Sequence, residues 1–475
     1  METIMLILQV AVLLGAIFLG VRLGGIGIGF AGGIGVVVLT LILGMKVGNI
    51  PWDVILIIMS VIAAISAMQL AGGLDYLVQI AERILRSNPK YINYLAPTVT
   101  YCLTLFAGTG HTAFSMIPVI VEVAKEQNIK PSAPLSIAVV ASQIAITASP
   151  VSAAVVYMTG VLEDLGWSYP MLLGIWIVTT YVACMITAFL VSKFSNLDLS
   201  KDAIYQERLK AGLIKAPTGA LNLEIKPGAK LSVLIFLIGV LCVVFYATTI
   251  SDVVRKPMLD YVNMLIAEGS SLTSLAEFVK SYIDPIRLPR DSAIMSFMLS
   301  IATLIVVFCK IDTSKIFEQS VFKSGMVACV CVLGVAWLGD TFVAGYKQDI
   351  QDIAGDLAKR IPALVAVAFF FASMLLYSQA ATAKAIVPTI IAALSISAMP
   401  DGSVAPNSYI LVASFAAVSA LFVLPTYPTL LGAVQMDDTG TTRIGKYVFN
   451  HAFLVPGVLA IALSVTLGFI VSSLV

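Results

Sequence analysis

The chain has 475 residues, 59% of them hydrophobic and 12% charged, and its mean hydropathy is +0.99. A soluble domain carries about a quarter of its residues charged to cover its surface, so this composition excludes a water-soluble protein and makes lipid the solvent. With 28 basic and 27 acidic residues the formal net charge is +1, which leaves no charge excess to attract nucleic acid.

The N-terminus, METIMLILQV, has an acid at Glu2, no basic segment and no small-residue cleavage site, and it reads as a first membrane span. Apolar runs of at least about 18 residues predict ten crossings, near 4–21, 23–44, 51–71, 133–160, 169–192, 230–250, 291–309, 323–343, 407–434 and 449–474. Two further apolar stretches, 93–120 and 361–393, are too long for one span and carry a polar or glycine-rich break, so they read as re-entrant hairpins. Lipid satisfies no backbone group, so such a break must be covered by protein or line a watery cavity. The glycine run GGIGIGFAGG at 24–33 opens a span and follows no soluble strand, which favours close helix packing over a phosphate loop. Cys102, Cys184, Cys242, Cys309, Cys329 and Cys331 lie in or beside apolar runs with no metal-ligand spacing, and they are expected to be small buried side chains.

The short basic loops set the orientation: Arg22; Arg83, Arg86 and Lys90; the stretch 193–230; Lys310, Lys315 and Lys323; and Arg443 with Lys446. Placing them all in the cytoplasm gives one consistent threading. Both termini are then periplasmic, the hairpin at 93–120 enters from inside and that at 361–393 from outside. The first membrane half covers 1–192, a cytoplasmic linker 193–229, and the second half 230–475 with an external insertion at 251–290. TAFSMIPVI at 112–120 and TAKAIVPTI at 382–390 share Thr, Ala, Pro and Ile at an offset of 270, and ASPVS at 148–152 has a counterpart in VLPTY at 423–427. Each half runs crossing, crossing, amphipathic stretch, hairpin, broken crossing, crossing. With opposite orientations, this is the pattern of a secondary transporter with inverted repeats. The expected fold is thus an all-α polytopic membrane protein with inverted repeats, two re-entrant hairpins and two broken transmembrane helices.

The interruptions are the candidate substrate walls. The first hairpin carries Gly108, Thr109, Gly110, His111 and Thr112, and the second Ser378, Gln379 and Thr382. The broken helices carry Thr147, Ser149, Pro150 and Ser152 in the first half and Pro425, Thr426, Tyr427, Pro428 and Thr429 in the second. Helix breaks offer unpaired N–H groups and positive dipole ends, and hydroxyls add donors without a full charge, a lining suited to an anion. The alternative is that these small residues only let helices pack closely. Lys384 is either a cation for one carboxylate or a lysine that snorkels or pairs with an acid, and Phe114 holds the matching place in the first half. His111 is a carboxylate donor, a proton carrier or a plain hydrogen-bonding group, and His451 is expected at the interface. Asp340 either approaches the cavity or caps a neighbouring segment, and Asp437, Asp438 and Arg443 form a local charge network or a gate. HExxH, Walker and GxSxG motifs are absent, so the sequence points to no enzyme, no metal and no cofactor.

The strings RLGGIGIGFAGG (22–33), IAAISAMQLAGGLDYL (62–77), FAGTGHT (106–112), ITASPVSAAVVYM (146–158), GVAWLGDTF (334–342), LLYSQAATAKA (375–385) and FVLPTYPTLLGAVQMDDTGTTRIGKYVFNH (422–451) closely resemble the bacterial anaerobic C4-dicarboxylate transporter (Dcu) family. The resemblance covers nearly the whole chain. It implies exchange or uptake of fumarate, succinate, malate and aspartate across the inner membrane, with fumarate entering as succinate leaves. It also implies an ion-transporter type of fold, usually a dimer with elevator-like movement. Most of the chain looks closer to members associated with general uptake and aspartate, whereas GTGHT looks more like the fumarate/succinate antiporter branch. The resulting expectation is that Thr109, His111, Thr112, Ser149 and Ser152 hold one end of a dicarboxylate and Ser378, Gln379, Thr382, Lys384, Thr426 and Thr429 the other. Proton- or sodium-coupled uptake of aspartate or malate is the alternative within transport. A dicarboxylate-binding partner of a membrane sensor is the alternative outside it.

Overall fold

A computed structural model describes residues 2–23, 25–214, 224–269, 272–346, 361–376, 378–425, 427–447 and 449–474. The helices in the first half are α1 (Glu2–Leu23), α2 (Gly27–Val37), α3 (Trp52–Leu70), α4 (Gly73–Ser87), α5 (Ile92–Ala107), α6 (Ala113–Glu126), α7 (Ser132–Ala145), α8 (Ala153–Glu163) and α9 (Tyr169–Phe194). After α10 (Ala203–Lys210) come α11 (Ala229–Thr249), α12 (Asp252–Ala267), α13 (Thr273–Ile283), α14 (Arg290–Cys309), α15 (Ser320–Cys331) and α16 (Trp337–Gly345). The chain closes with α17 (Leu364–Leu376), α18 (Gln379–Ala393), α19 (Tyr409–Ser414), α20 (Pro428–Met436) and α21 (Leu454–Ser472). A π turn at Val38–Ile42 ends α2, another at Val332–Ala336 joins α15 to α16, and a 3-10 stretch at Phe415–Phe422 extends α19. The described residues contain no strand beyond isolated bridges such as Ile129 with Asp198.

Seven helical segments among the described residues are long and apolar enough to cross a membrane, as a polytopic membrane protein requires. Of the ten expected crossings, the other three are shorter helices, Ile4–Gly20, Gly27–Ile42 and Tyr409–Phe422. The reason is local in the last two. Gly25 at φ +50° separates α1 from α2, and the segment at 407–434 is interrupted before Pro428.

Two layers emerge from the packing. In one, α3 lies against α14 and α15, α11 against α14, and α1 and α2 against the π turn and α16. In the other, α5 packs on α7 and α9, α17 on the 3-10 stretch, and α21 on both α9 and α19. Between lipid-like surfaces no hydrophobic force draws helices together, so close van der Waals contact must do it. Gly29 and Gly32 meet Gly334 so closely that a Cβ on any of them would collide with the facing backbone. The glycine run therefore serves helix packing. Residues 133–156 are buried throughout and form the centre of the second layer. The cysteines divide: Cys184, Cys329 and Cys331 are buried and Cys309 partly so, but Cys102 and Cys242 are exposed. An apolar run tells that a residue sits in a span, not which face of the helix carries it.

Proline and serine explain the breaks. Pro150 offers no N–H and drives Ser149 into an extended conformation (φ −80°, ψ 124°). Ser152 then restarts the chain as α8, its hydroxyl accepting from the Val155 N–H at 3.2 Å. In the second half Tyr427 is extended (φ −70°, ψ 135°) before Pro428, which takes the first position of α20.

Candidate functional site

A cleft of about 940 Å3, partly open to the exterior, lies between the two layers. On one wall three helix N-termini meet: Ala153 and Ala154 of α8, Ser378, Gln379 and Ala380 at the start of α18, and Tyr427 with Pro428 at the start of α20. Gly108 and Thr109, from the turn between α5 and α6, complete it. The opposite wall is apolar and comes from α2, α3 and α15, with Ser324 its one hydroxyl. Converging N-termini present unpaired N–H groups and partial positive charge, which is an anion-binding arrangement built without a formal cation.

Each turn is locally determined. Gly108 ends α5 at φ +69°, where a Cβ would stand 3.1 Å from the Val151 backbone. Gly110 passes Gln143 with no room for a side chain. Thr112 is buried, its hydroxyl 3.2 Å from that of Thr104 and donating to the Thr109 carbonyl at 3.2 Å. At the second tip the Ser378 hydroxyl caps α18 by accepting from the Ala381 N–H at 3.2 Å, and Thr382 donates to the Ser378 carbonyl at 2.7 Å.

Of the sequence-predicted residues, Gly108, Thr109, Ser378, Gln379 and Tyr427 line the central cleft. The hydroxyls of the first break are turned to the backbone: Thr147 donates to the Ile144 carbonyl at 2.7 Å, Ser149 to Leu105 at 2.6 Å and Ser152 to Ile146 at 2.6 Å. Pro150 is buried between them and Pro425 is half-buried. Thr429 is buried and accepts from the Gln143 amide at 3.2 Å. Thr426 lies outside the described residues. His111 falls in the helical turn Gly110–Thr112 at the tip of the first hairpin.

Lys384 is placed beside the central cleft. Two adjoining clefts of about 780 and 680 Å3 share Asp53, Tyr157 and Lys384, and the larger meets the central cleft at Ile57 and Ala153. There Lys384 forms an ion pair with Asp53 of α3, with its ammonium 5.7 Å from the centre of the Tyr157 ring. Asp340 lines the same vestibule and accepts from the Asn49 N–H at 2.6 Å, holding the loop between α2 and α3. Asp437 is buried and satisfied inside its own loop, accepting from Thr439 N–H at 3.0 Å and Thr442 N–H at 2.7 Å. Asp438 pairs with Lys125 of α6 at 3.1 Å, whereas the Arg443 side chain is exposed. His451 is buried, one ring nitrogen 3.0 Å from the Val423 carbonyl.

Three features escaped the sequence. Gln143 of α7 bridges the two halves, donating to Thr429 and accepting at its carbonyl from the Gln379 amide at 3.3 Å. Its own Oε1 is buried with no partner among the described residues. Asp53 occupies the first turn of α3, an ordinary place for an acid. Arg290, at the start of α14, pairs with Glu163 and lies 4.5 Å from the Tyr169 ring, while Ser251 donates to Glu163 at 2.5 Å. For Gln143 an amide inside an apolar helix was the available signal, whereas Asp53, Glu163 and Arg290 stand at helix ends, where charges are ordinary.

A family model described as "Anaerobic c4-dicarboxylate membrane transporter" matches residues 5–475. "C4-dicarboxylate transporter DcuA" of Helicobacter pylori is 60% identical over 467 residues, 98% of each chain. The protein of that name from Escherichia coli K12 is 55% identical over 472 residues, 99% of each. "Anaerobic C4-dicarboxylate transporter DcuB" of Escherichia coli O6:H1 is 33% identical over 476 residues, 98% of each. With seven apolar helices among the described residues and a match over residues 5–475, the chain belongs to the anaerobic C4-dicarboxylate membrane transporter family, a family of transporters and not of enzymes.

Proposed function

We propose that the chain is a secondary transporter that exchanges C4-dicarboxylates across the bacterial inner membrane, taking in fumarate as succinate leaves. The observation that carries this reading is the convergence of three helix N-termini and the Gly108–Thr109 turn on one cleft. A dicarboxylate puts one carboxylate against the N-termini of α18 and α20 and the other against the first hairpin tip and α8. His111 and Thr112 belong to that first tip. Thr147, Ser149, Pro150 and Ser152 shape the break behind it, while Thr382, Pro425, Thr426 and Thr429 belong to the opposed set. Lys384 receives a carboxylate in the vestibule by exchanging it for Asp53. Unmet donors make an empty site costly to bury, so the loaded site moves more readily, and that difference favours exchange.

The paired order of elements supports inverted repeats. In both halves a helix–turn–helix (α5 with α6, α17 with α18) packs against a helix that breaks at proline, followed by a long apolar helix. On this reading both helix–turn–helix units are re-entrant, 1–192 and 230–475 are the two halves about the linker 193–229, and both termini are periplasmic. Asp340 edges the path in the vestibule, while Asp437, Asp438 and Arg443 shape the loop beyond α20, where Asp438 pairs with Lys125. The apolar wall of α2, α3 and α15 is the fixed surface of a homodimer past which the other layer moves.

Reconstitution in liposomes tests the proposal. Labelled fumarate is expected to enter vesicles loaded with succinate and not empty ones. Entry into empty vesicles driven by a proton or sodium gradient would replace exchange with coupled uptake of aspartate or malate. Binding without entry under any condition would leave a dicarboxylate-binding partner of a membrane sensor.

A further inference from the structure

The segment between α11 and α14 folds into two helices that the transport reading does not use. Arg255 on α12 clasps them together, reaching Asp252 at 3.2 Å and Asp284 beyond α13 at 3.3 Å. The Tyr246 hydroxyl donates to the Leu288 carbonyl at 2.8 Å and ties the exit of the pair back to α11.

Helix α13 has three faces rather than two. Ala276 and Ile283 are buried at 4% and 2% exposure, seven residues apart, on the side packed inward. Glu277 and Ser281 are exposed on a polar side. Leu275, Phe278 and Tyr282, spaced three and four apart, form an apolar side that is 58%, 66% and 55% exposed. A helix in water has no reason to carry that third face, whereas one lying in a membrane interface does.

The neighbouring surface names what covers it. Between α11 and α13 runs an apolar cleft of about 1300 Å3, lined by Leu241 and Phe245 from one side and by Phe278 and Tyr282 from the other. Leu241 and Phe245 continue an outward row that begins at Leu231 and Leu234 on a helix apolar enough to cross the membrane. That row is the face a bilayer solvates, and the cleft is its continuation. We propose that the cleft holds a phospholipid acyl chain and that α13 rests in the interface with Leu275, Phe278 and Tyr282 turned to the lipid.

Tryptophan fluorescence in nanodiscs tests this directly. The full chain with Phe278→Trp, or with Ser281→Trp as the polar-face control, is placed in phosphatidylglycerol/phosphatidylcholine discs, with or without bromine at mid-chain. Emission of the parent protein, from Trp52, Trp167, Trp176 and Trp337, is subtracted. Phe278→Trp is expected to add blue-shifted emission that brominated lipid largely removes, and Ser281→Trp red-shifted emission that persists. Red-shifted, unquenched emission from Phe278→Trp would mean water in the cleft. Blue-shifted emission that bromine leaves intact would mean protein, such as a second copy, and either result overturns the proposal. Should Phe278→Trp fail to elute as a folded species, Tyr282→Trp reads the same cleft.

Discussion

The two walls of the central cleft are built on opposite principles. One is assembled from chain interruptions: a glycine turn at Gly108, a serine cap at Ser378 and a proline start at Pro428. The other is helical, with Ile57, Ile58, Val61 and Ile62 from α3 beside Val327, Ala328 and Cys331 from α15. The difference teaches where recognition can reside. Behind the interrupted wall the hydroxyls of Ser149 and Ser152 already donate to carbonyls, so on the proposed reading an anion would be met by backbone N–H groups, dipoles and a few side chains such as Thr109 and Gln379. The helical wall has its backbone paired within each helix and offers an arriving anion little to bind. It suits a surface past which a loaded site slides.

Substitutions on the interrupted wall should therefore cost transport far more than those facing them. Gly108→Val carries the largest expected effect. A β-branched residue at φ +69° pays about 1–2 kcal/mol for the left-handed backbone, and its Cβ would also press on the Val151 backbone at 3.1 Å. Loss of fumarate/succinate exchange in proteoliposomes is expected, with the helical circular dichroism spectrum retained. Wild-type exchange would show that the tip geometry does not matter. Ser378→Ala comes next. Removing an N-cap costs about 1 kcal/mol, which as lost affinity is roughly a fivefold rise in the substrate dissociation constant. Ser324→Ala, across the cleft, should leave that constant unchanged in the same titration. Equal effects from the two serines would erase the distinction between the walls.

Much of this was readable in the chain because the informative residues are also the ones that punctuate helices. Gly108, Pro150, Ser378 and Pro428 announce breaks in apolar runs, and a break at membrane depth is a strong constraint. The partners across those breaks were not readable. Gln143 sits in a helix whose other residues are small or apolar, and nothing in its spacing marks it as the bridge to Thr429 and Gln379. Asp53 and Lys384 are 331 positions apart, and Glu163 meets Arg290 only because α8 and α14 pack together. Sequence periodicity reports which face of an element is apolar. It does not report which distant charge that face will meet.

The Asp53–Lys384 pair carries the smallest expected effect and the finest test of the comparison, since it joins α18, an arm of the interrupted wall, to α3 of the opposite one. Asp53 is exposed and Lys384 half-buried, so the pair contributes about 0–1 kcal/mol, less at high salt. If Asp53 occupies the ammonium until a substrate carboxylate replaces it, the two partners should respond in opposite directions. Asp53→Asn frees Lys384 and should lower the KM for fumarate by up to about fivefold, the factor that about 1 kcal/mol represents. Lys384→Gln should raise it by a similar factor, with equilibrium binding by calorimetry still measurable because the central cleft is intact. Complete loss of binding in Lys384→Gln would move this lysine from the vestibule into the primary site. Shifts in the same direction for both variants would mean that the pair serves only to hold α18 against α3.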